Sequence, residues 1–186
     1  MARADAYRLR PLTRADLDLV LTWRNAPHIR RWMYTDHLIS RVEHVTWFER
    51  VQTMESALLL LFECADEPLG VVNFVDIQAG RESGSWGFYL AAAEPPRGLG
   101  SKLGVLALAY AFERIGLRKL RAEVLASNAR SLAFHHKLGF QDEATLPRHA
   151  HKGSCFEDVK VLGLGRERWL ESKVRLERSA FGGEAP

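Results

Sequence analysis

"EPPRGLGSKLG", residues 94–104, stands between an aromatic stretch that reads as a strand, SWGFYLA (85–91), and a long apolar helix. Gly98 and Gly100 let the backbone approach a ligand without Cβ interference. The helix opening behind them offers unpaired N–H groups and a positive dipole end, which together hold phosphate. Arg97 and Lys102 add mobile positive charge beside the turn. The same residues equally satisfy a plain strand-to-helix turn that needed two glycines. A GxG by itself does not separate the two readings, so the rest of the chain has to.

Downstream, SKLGVLALAYAFERI (101–115) places Leu103, Leu106, Leu108, Ala109 and Phe112 at helical spacing, and Gly116 ends the helix. LRKLRAEVL (117–125) alternates as a strand, and Asn128 to Leu138 is a second helix closed by Gly139. LPRHAHKGSCFEDVKVLGL (146–164) reads as a hairpin turning at Lys152-Gly153, and RERWLES (166–172) as a short last helix. Upstream, YRLRPL (7–12) is a first strand. Thr13 with Asp16 forms a capping box that opens RADLDLVLTWRN (14–25). Pro27 interrupts, HIRRWM (28–33) continues as a short helix, and Ser40 with Glu43 caps EHVTWFERVQ (43–52). SALLLLFEC (56–64) and LGVVNFVDI (69–77) flank ADEP as a hairpin, and SWGFYLA extends the meander after RESG. The order predicts an α/β fold of one domain, residues 1–175, with a mixed, mostly antiparallel central sheet flanked by helices. Residues 176–186 are expected to form a disordered tail.

Composition narrows the function classes. With 47% hydrophobic and 26% charged residues the chain has the profile of a soluble globular protein. A net charge of +3 suits anionic small molecules and is too small to argue for nucleic acid, and no basic run is interleaved with aromatics. Cys64 and Cys155 make neither a disulfide framework nor a metal motif, so buried free thiols in a reducing cytoplasm and no metal are expected. The N-terminal segment lacks the apolar core of a signal peptide. The longest apolar run, ALLLLF (57–62), is far too short to span a membrane.

Three separated motifs decide between turn and cradle. Arg97-Gly98-Leu99-Gly100-Ser101, then Ser127-Asn128, then Lys137-Leu138-Gly139-Phe140 resemble the core of the GCN5-related N-acetyltransferases (GNAT), and the strand order around them is also that family's. The resemblance implies acetyl-CoA as co-substrate and a split between the strands at 85–91 and 117–125. It implies that backbone groups of Phe88, Tyr89 and Leu90 hold the pantetheine like an added strand. The loop from Arg97 through Gly98, Leu99, Gly100 and Ser101 to Lys102 would take the pyrophosphate. Asn128 would bond the pantetheine arm, although Asn also serves as a helix N-cap. The chain departs from the pattern at Pro95, where the family usually carries Gln or Arg, which throws more weight on backbone amides, Arg97 and Lys102.

Acetyl transfer needs a neutral amine as nucleophile and a proton for the leaving thiolate. Many relatives place a Tyr seven residues after the Asn; this chain has His135 there, a candidate acid, with a structural role as its alternative. Glu123, on the strand beside the split, is the candidate base, with a solvated strand residue as its equal alternative; Ser85 stands where some relatives carry a glutamate. Neither cysteine sits in a catalytic context, so direct attack in a ternary complex is expected.

For the acceptor, the N-terminal half resembles members of the family that acetylate the 4-amino group of a UDP-linked amino-dideoxy sugar in pseudaminic acid biosynthesis. Trp23-Arg24-Asn25, His44 and Phe74-Val75-x-Ile77 carry that likeness. Arg24, Asn25, Arg30 and His44 are the implied substrate residues, with Arg31 as another cation. Trp32, Tyr34 or Trp47 could lie against the uracil or sugar, or be core. The WRN stretch also occurs in relatives that acetylate protein N-termini, resembling ribosomal-protein alanine acetyltransferases. A non-catalytic acyl-CoA-binding module is the alternative of another class. A small-molecule acceptor, no nucleic acid or membrane partner, and room for a homodimer complete the expectation.

Overall fold

The computed structural model describes residues 6–182. One seven-stranded sheet organises it, in the order β1-β2-β3-β4-β5-β7-β6. β1 (Tyr7–Pro11), β2 (Leu58–Cys64), β3 (Glu67–Val75) and β4 (Ser83–Leu90) form an antiparallel meander. β4 then runs parallel to β5 (Lys119–Leu125). β7 (Cys155–Gly165) and β6 (Gln141–Lys152) complete the sheet antiparallel. The expected mixed, mostly antiparallel α/β architecture is the one observed.

Both capping boxes form. Ser40 and Glu43 bond reciprocally at the start of α3 (Arg41–Gln52), and Thr13 and Asp16 do so ahead of α1 (Leu17–Asn25). Pro27 opens α2 (Pro27–Arg30), where its missing N–H has no helical partner to lose. That helix stops at Arg30, earlier than the HIRRWM pattern implied, and residues 31–40 run irregularly. The β2–β3 hairpin turns on Ala65 and Asp66, both at positive φ (48° and 65°), the torsions that match the twist of a two-residue turn.

The sheet buries both faces. Leu60, Phe62, Val72, Phe74, Trp86, Leu120, Ala122 and Val124 point to one side, under α4 (Leu99–Ala109), α5 (Ala129–Leu138) and the last helix. Leu59, Leu61 and Val71 point to the other, under Val20 of α1 and Phe48 of α3. The unbroken LLLLF run is therefore two alternating faces, each covered.

The C-terminus differs from expectation. α6 spans Arg166–Phe181 and buries Trp169, Leu176 and Ala180, so residues 176–181 belong to the domain and not to a tail. Leu176 and Ala180 continue the helical spacing of Trp169 against α4, which supplies the apolar contact that the polar composition concealed. Residues 183–186 of the expected tail lie outside the described residues. Cys155 is exposed and Cys64 half-buried, a correction to the expectation that both are buried; both are free thiols.

What positions the site is the parting of β4 from β5. Their parallel pairing covers only Ser83–Ser85 with Lys119–Arg121. Beyond it β4 follows β3 up to Leu90 while β5 follows β7 up to Leu125, leaving a wedge between them.

Candidate active site

The wedge gives β4 an edge unpaired by β5 over residues 86–90, including the backbone of Phe88, Tyr89 and Leu90 expected to hold an extended ligand arm. At its mouth the Gly-rich turn leads into α4. Gly98 is left-handed, φ 86°, and a Cβ there would meet nothing within 4 Å, so its requirement is purely torsional. Gly100 lies inside the first helical turn, and a Cβ would come no nearer than 3.7 Å, to the Phe134 ring. Nothing in the fold asks for glycine at 100. The missing Cβ leaves the approach to the helix N-terminus open. Leu99 is buried in the core and contributes backbone only.

Of the two cations expected at the loop, Lys102 turns away from it. Arg97 is exposed just ahead of α4, free to meet a phosphate. Lys102 instead donates Nζ to the Ala180 carbonyl at 2.7 Å and lies over the Tyr7 and Phe181 rings. One turn beyond the loop, its side chain points back to the end of α6 and satisfies an orphan carbonyl there. A second cation at the loop is Lys137, whose Nζ donates to Ser101 Oγ at 3.0 Å. The sequence held that signal in the KLGF motif, but the approach of α5 to α4 is tertiary.

Asn128 caps α5, its Oδ1 accepting from Ser131 N–H at 3.1 Å, and it lines the central cavity. Both of its expected roles are compatible with this placement. His135, two turns on, is 3% exposed and boxed by the rings of Trp86, Phe88, Phe134 and Phe140. Its Nδ1–H donates to the Ser131 carbonyl at 2.8 Å. Burial first, then the neighbouring His136, pulls its pKa down to about 4, against the lift from that hydrogen bond. At neutral pH the ring is uncharged and Nε2 is an acceptor, which weighs against a proton-donor role.

A cavity of about 760 Å³ passes from this wedge to the face covered by α1 and α3. Its floor is the β3–β4 row Val71, Asn73, Val75 against Tyr89, Gly87, Ser85, and Glu123 stands on the far side of the split. The segment 32–39 roofs it through Trp32, Met33, Tyr34, Thr35, His37 and Ile39. Tyr34 Oη donates to Glu123 Oε2 at 2.6 Å, reaching from roof to split. Burial and the Glu123 carboxyl group push the Tyr34 phenol above its ordinary range, so it remains a donor.

Of the four expected substrate residues, Arg24 and His44 line the cavity and Asn25 and Arg30 do not. Asn25 bonds both the N–H and the carbonyl of Ile39 at 2.8 Å, and Arg30 donates to the Asp36 carbonyl at 2.8 Å. Both hold the roof. Arg24 Nη2 joins them on the Thr35 carbonyl at 3.0 Å, while its Nη1 is buried without a partner. Arg24 has no carboxylate partner among the described residues, and burial lowers its pKa. His44 is 4% exposed, stacked on Trp47 at 5.2 Å, with Nε2 unpartnered. Burial and then the Arg24 charge lower its pKa.

A split sheet, a glycine-opened helix at its mouth and a cavity reaching the reverse face are the arrangement to which residues 7–141 also match as a whole, through the model of the acetyltransferase (GNAT) domain. The chain belongs to the GNAT acetyltransferase family. Among GNAT relatives, spermidine N(1)-acetyltransferase of Escherichia coli (strain K12) is 27% identical over 146 residues, 78% of each chain. Acetyltransferase PseH of Campylobacter jejuni is 28% identical over 130 residues, covering 69% of this chain and 79% of its own. The structure of spermidine N-acetyltransferase from Vibrio cholerae in complex with CoA and spermine superposes with a TM-score of 0.83 at 21% identity. That superposition covers 89% of this chain and 99% of the other, and carries the GNAT fold.

Proposed function

We propose that this GNAT enzyme transfers the acetyl group of acetyl-CoA to the primary amine of a UDP-linked amino-dideoxy sugar. The amine nitrogen attacks the thioester carbonyl, the C–S bond breaks, and the amine loses a proton while the thiolate gains one. Glu123, held by Tyr34 beside the split, is the carboxyl group placed to take the amine's proton. Phe88 to Leu90 and the α4 N-terminus with Arg97 and Lys137 hold the donor, and Asn128 its arm.

One observation carries the choice of acceptor: the cavity has two unlike ends. Asp76, Ser85 and Glu123 line it near the split, whereas Arg24 and His44 line it beside Tyr89 and Val71. Ser85 and Tyr89 are four residues apart on β4, roughly 13 Å at strand rise. An acceptor with an amine at one end and a diphosphate at the other matches this separation. The half-buried Arg24 guanidinium, with Nη1 unpartnered and no carboxylate among the described residues, gains a partner when an anion arrives. The relationship to Campylobacter jejuni PseH is in keeping with that reading.

A polyamine acceptor is the second reading. The spermidine acetyltransferase relatives favour it, and so do the carboxyl groups of Glu43, Asp76 and Glu123 in the same cavity. Thiol release from acetyl-CoA, compared across UDP-amino sugars, spermidine and N-terminal peptides, tests the choice. Arg24→Met sharpens it: loss of a charged hydrogen bond of about 1.5–3 kcal/mol raises KM for the nucleotide sugar roughly 10- to 150-fold. For a cationic polyamine the same change leaves KM level or lowers it. Turnover of spermidine or peptide alone defeats the nucleotide-sugar reading, and CoA binding without turnover of any acceptor defeats the enzyme.

A further inference from the structure

The cavity floor contains a polar group with no task in the fold. On β3, Val71, Asn73 and Val75 stand opposite Tyr89, Gly87 and Ser85 of β4, and all six line the cavity. Asn73 is the amide in an otherwise apolar β3 row. It is half-buried, open to the cavity, and its side chain has no hydrogen-bond partner among the described residues. Its donor and acceptor therefore face the cavity unengaged.

Gly87 makes room for that amide. A glycine inside a strand sacrifices backbone order and packing, and here its neighbours are Trp86, Phe88 and Tyr89. Its φ is not positive, so no torsion demands it. What it permits is the placement of Asn73: a Cβ at 87 would stand 2.7 Å from Asn73 Oδ1. The strand has a gap where the amide lies.

The level of this pair on the sheet is the decisive point. Ser85 pairs with Arg121, and the strands part there. Gly87 and Glu123 are each two residues further along, so Asn73, Gly87 and Glu123 fall on one level across the opening. Tyr34 bonds Glu123 from the roof at the same place.

We propose that Asn73 is a specificity-determining residue of the acceptor site. Its amide, laid across Gly87, receives a hydroxyl or acetamido group adjacent to the reacting amine. An amide donates and accepts at once, which matches those groups; the methylenes flanking an amine in an alkyl polyamine offer it nothing. The inference deepens the nucleotide-sugar reading and rests on it.

Steady-state kinetics with a UDP-linked 4-amino-4,6-dideoxy sugar bearing an acetamido group test it in wild type, Asn73→Ala, Gly87→Ala and the double variant. Asn73→Ala is expected to raise the sugar's KM roughly 2- to 12-fold, the size of one neutral hydrogen bond, with the KM for acetyl-CoA unchanged. Gly87→Ala is expected to reproduce the effect by displacing the amide, and the double variant to be no worse than the poorer single one. Should Gly87→Ala not fold, Asn73→Leu keeps the bulk without the amide and must show the same rise. Turnover of the sugar with an unchanged KM in Asn73→Ala, or additive effects in the double variant, overturns the proposal alone. Turnover of spermidine in place of the sugar overturns the nucleotide-sugar reading, and the hydroxyl or acetamido role with it.

Discussion

Lowering the pH through the range where His135 titrates tests the reading of the aromatic box. In an unfolded chain this imidazole protonates near 6.5; in the folded protein burial holds it to about 4. The folded state therefore binds fewer protons than the unfolded state between those values. Stability is full above 6.5 and is lost as the pH falls toward 4. At about 1.4 kcal/mol per pH unit the whole span amounts to about 3 kcal/mol, with roughly 2–3 kcal/mol already lost by pH 4.5. His135→Phe and His135→Asn abolish this titration; the second keeps a donor for the Ser131 carbonyl. Urea unfolding from pH 7.5 to 4.5 gives the comparison. The wild-type stability minus that of each variant should fall by about 2–3 kcal/mol across the range. His44, shifted in the same direction, contributes to all three proteins and cancels. Curves that stay parallel within about 0.5 kcal/mol would refute the buried, uncharged histidine. The same placement bears on catalysis, since at pH 7 about one ring in a thousand carries the proton. His135→Phe should reduce turnover at pH 7 less than tenfold; a general acid contributes roughly 100-fold or more, and a loss of that size would restore the acid role.

Four further outcomes concern the donor loop and its cations. Gly100→Ala should raise stability by about 0.5–1 kcal/mol in thermal unfolding while weakening acetyl-CoA binding in titration calorimetry. Gly98→Ala should cost about 1–2 kcal/mol, because alanine must adopt a φ of 86°. Lys102→Met should leave acetyl-CoA affinity unchanged and lower stability by about 1–2 kcal/mol, through the lost bond to the Ala180 carbonyl. Lys137→Met should weaken acetyl-CoA binding a few-fold at low salt, with the difference fading as ionic strength rises.

The secondary structure of the donor half was the more legible because it is local in sequence, whereas its chemistry came with the family resemblance. A loop, the helix it opens and the capped helix that follows are contiguous segments, each announced by its own Gly or Asn. Misreadings arose where a side chain left its own segment. Lys102 belongs to the Gly-rich loop in sequence but reaches the end of α6, and Lys137 replaces it from another helix. Asn25 and Arg30 sit in a motif that looked like ligand chemistry, yet they bond the carbonyls and amide of residues 36–39. Irregular segments offer unpaired backbone groups, and the nearest polar side chains satisfy them first. Tyr34 against Glu123 joins residues 89 apart, and no spacing rule spans such a distance.

What the sequence determined by itself was the α/β layout, the capping boxes and the glycines of the turn, because alternation, helical spacing and turn torsions act between near neighbours; the split came only with the family resemblance. The tertiary structure decided how that layout is used. It separated Gly98, needed by the turn, from Gly100, which the turn does not need. It boxed His135 into neutrality and left Arg24 without a carboxylate partner among the described residues. It also set Asn73 level with Glu123 across the opening. Each of these depends on what a distant segment places, or leaves out, beside a side chain, and burial turns that into charge, proton affinity and an open hydrogen bond.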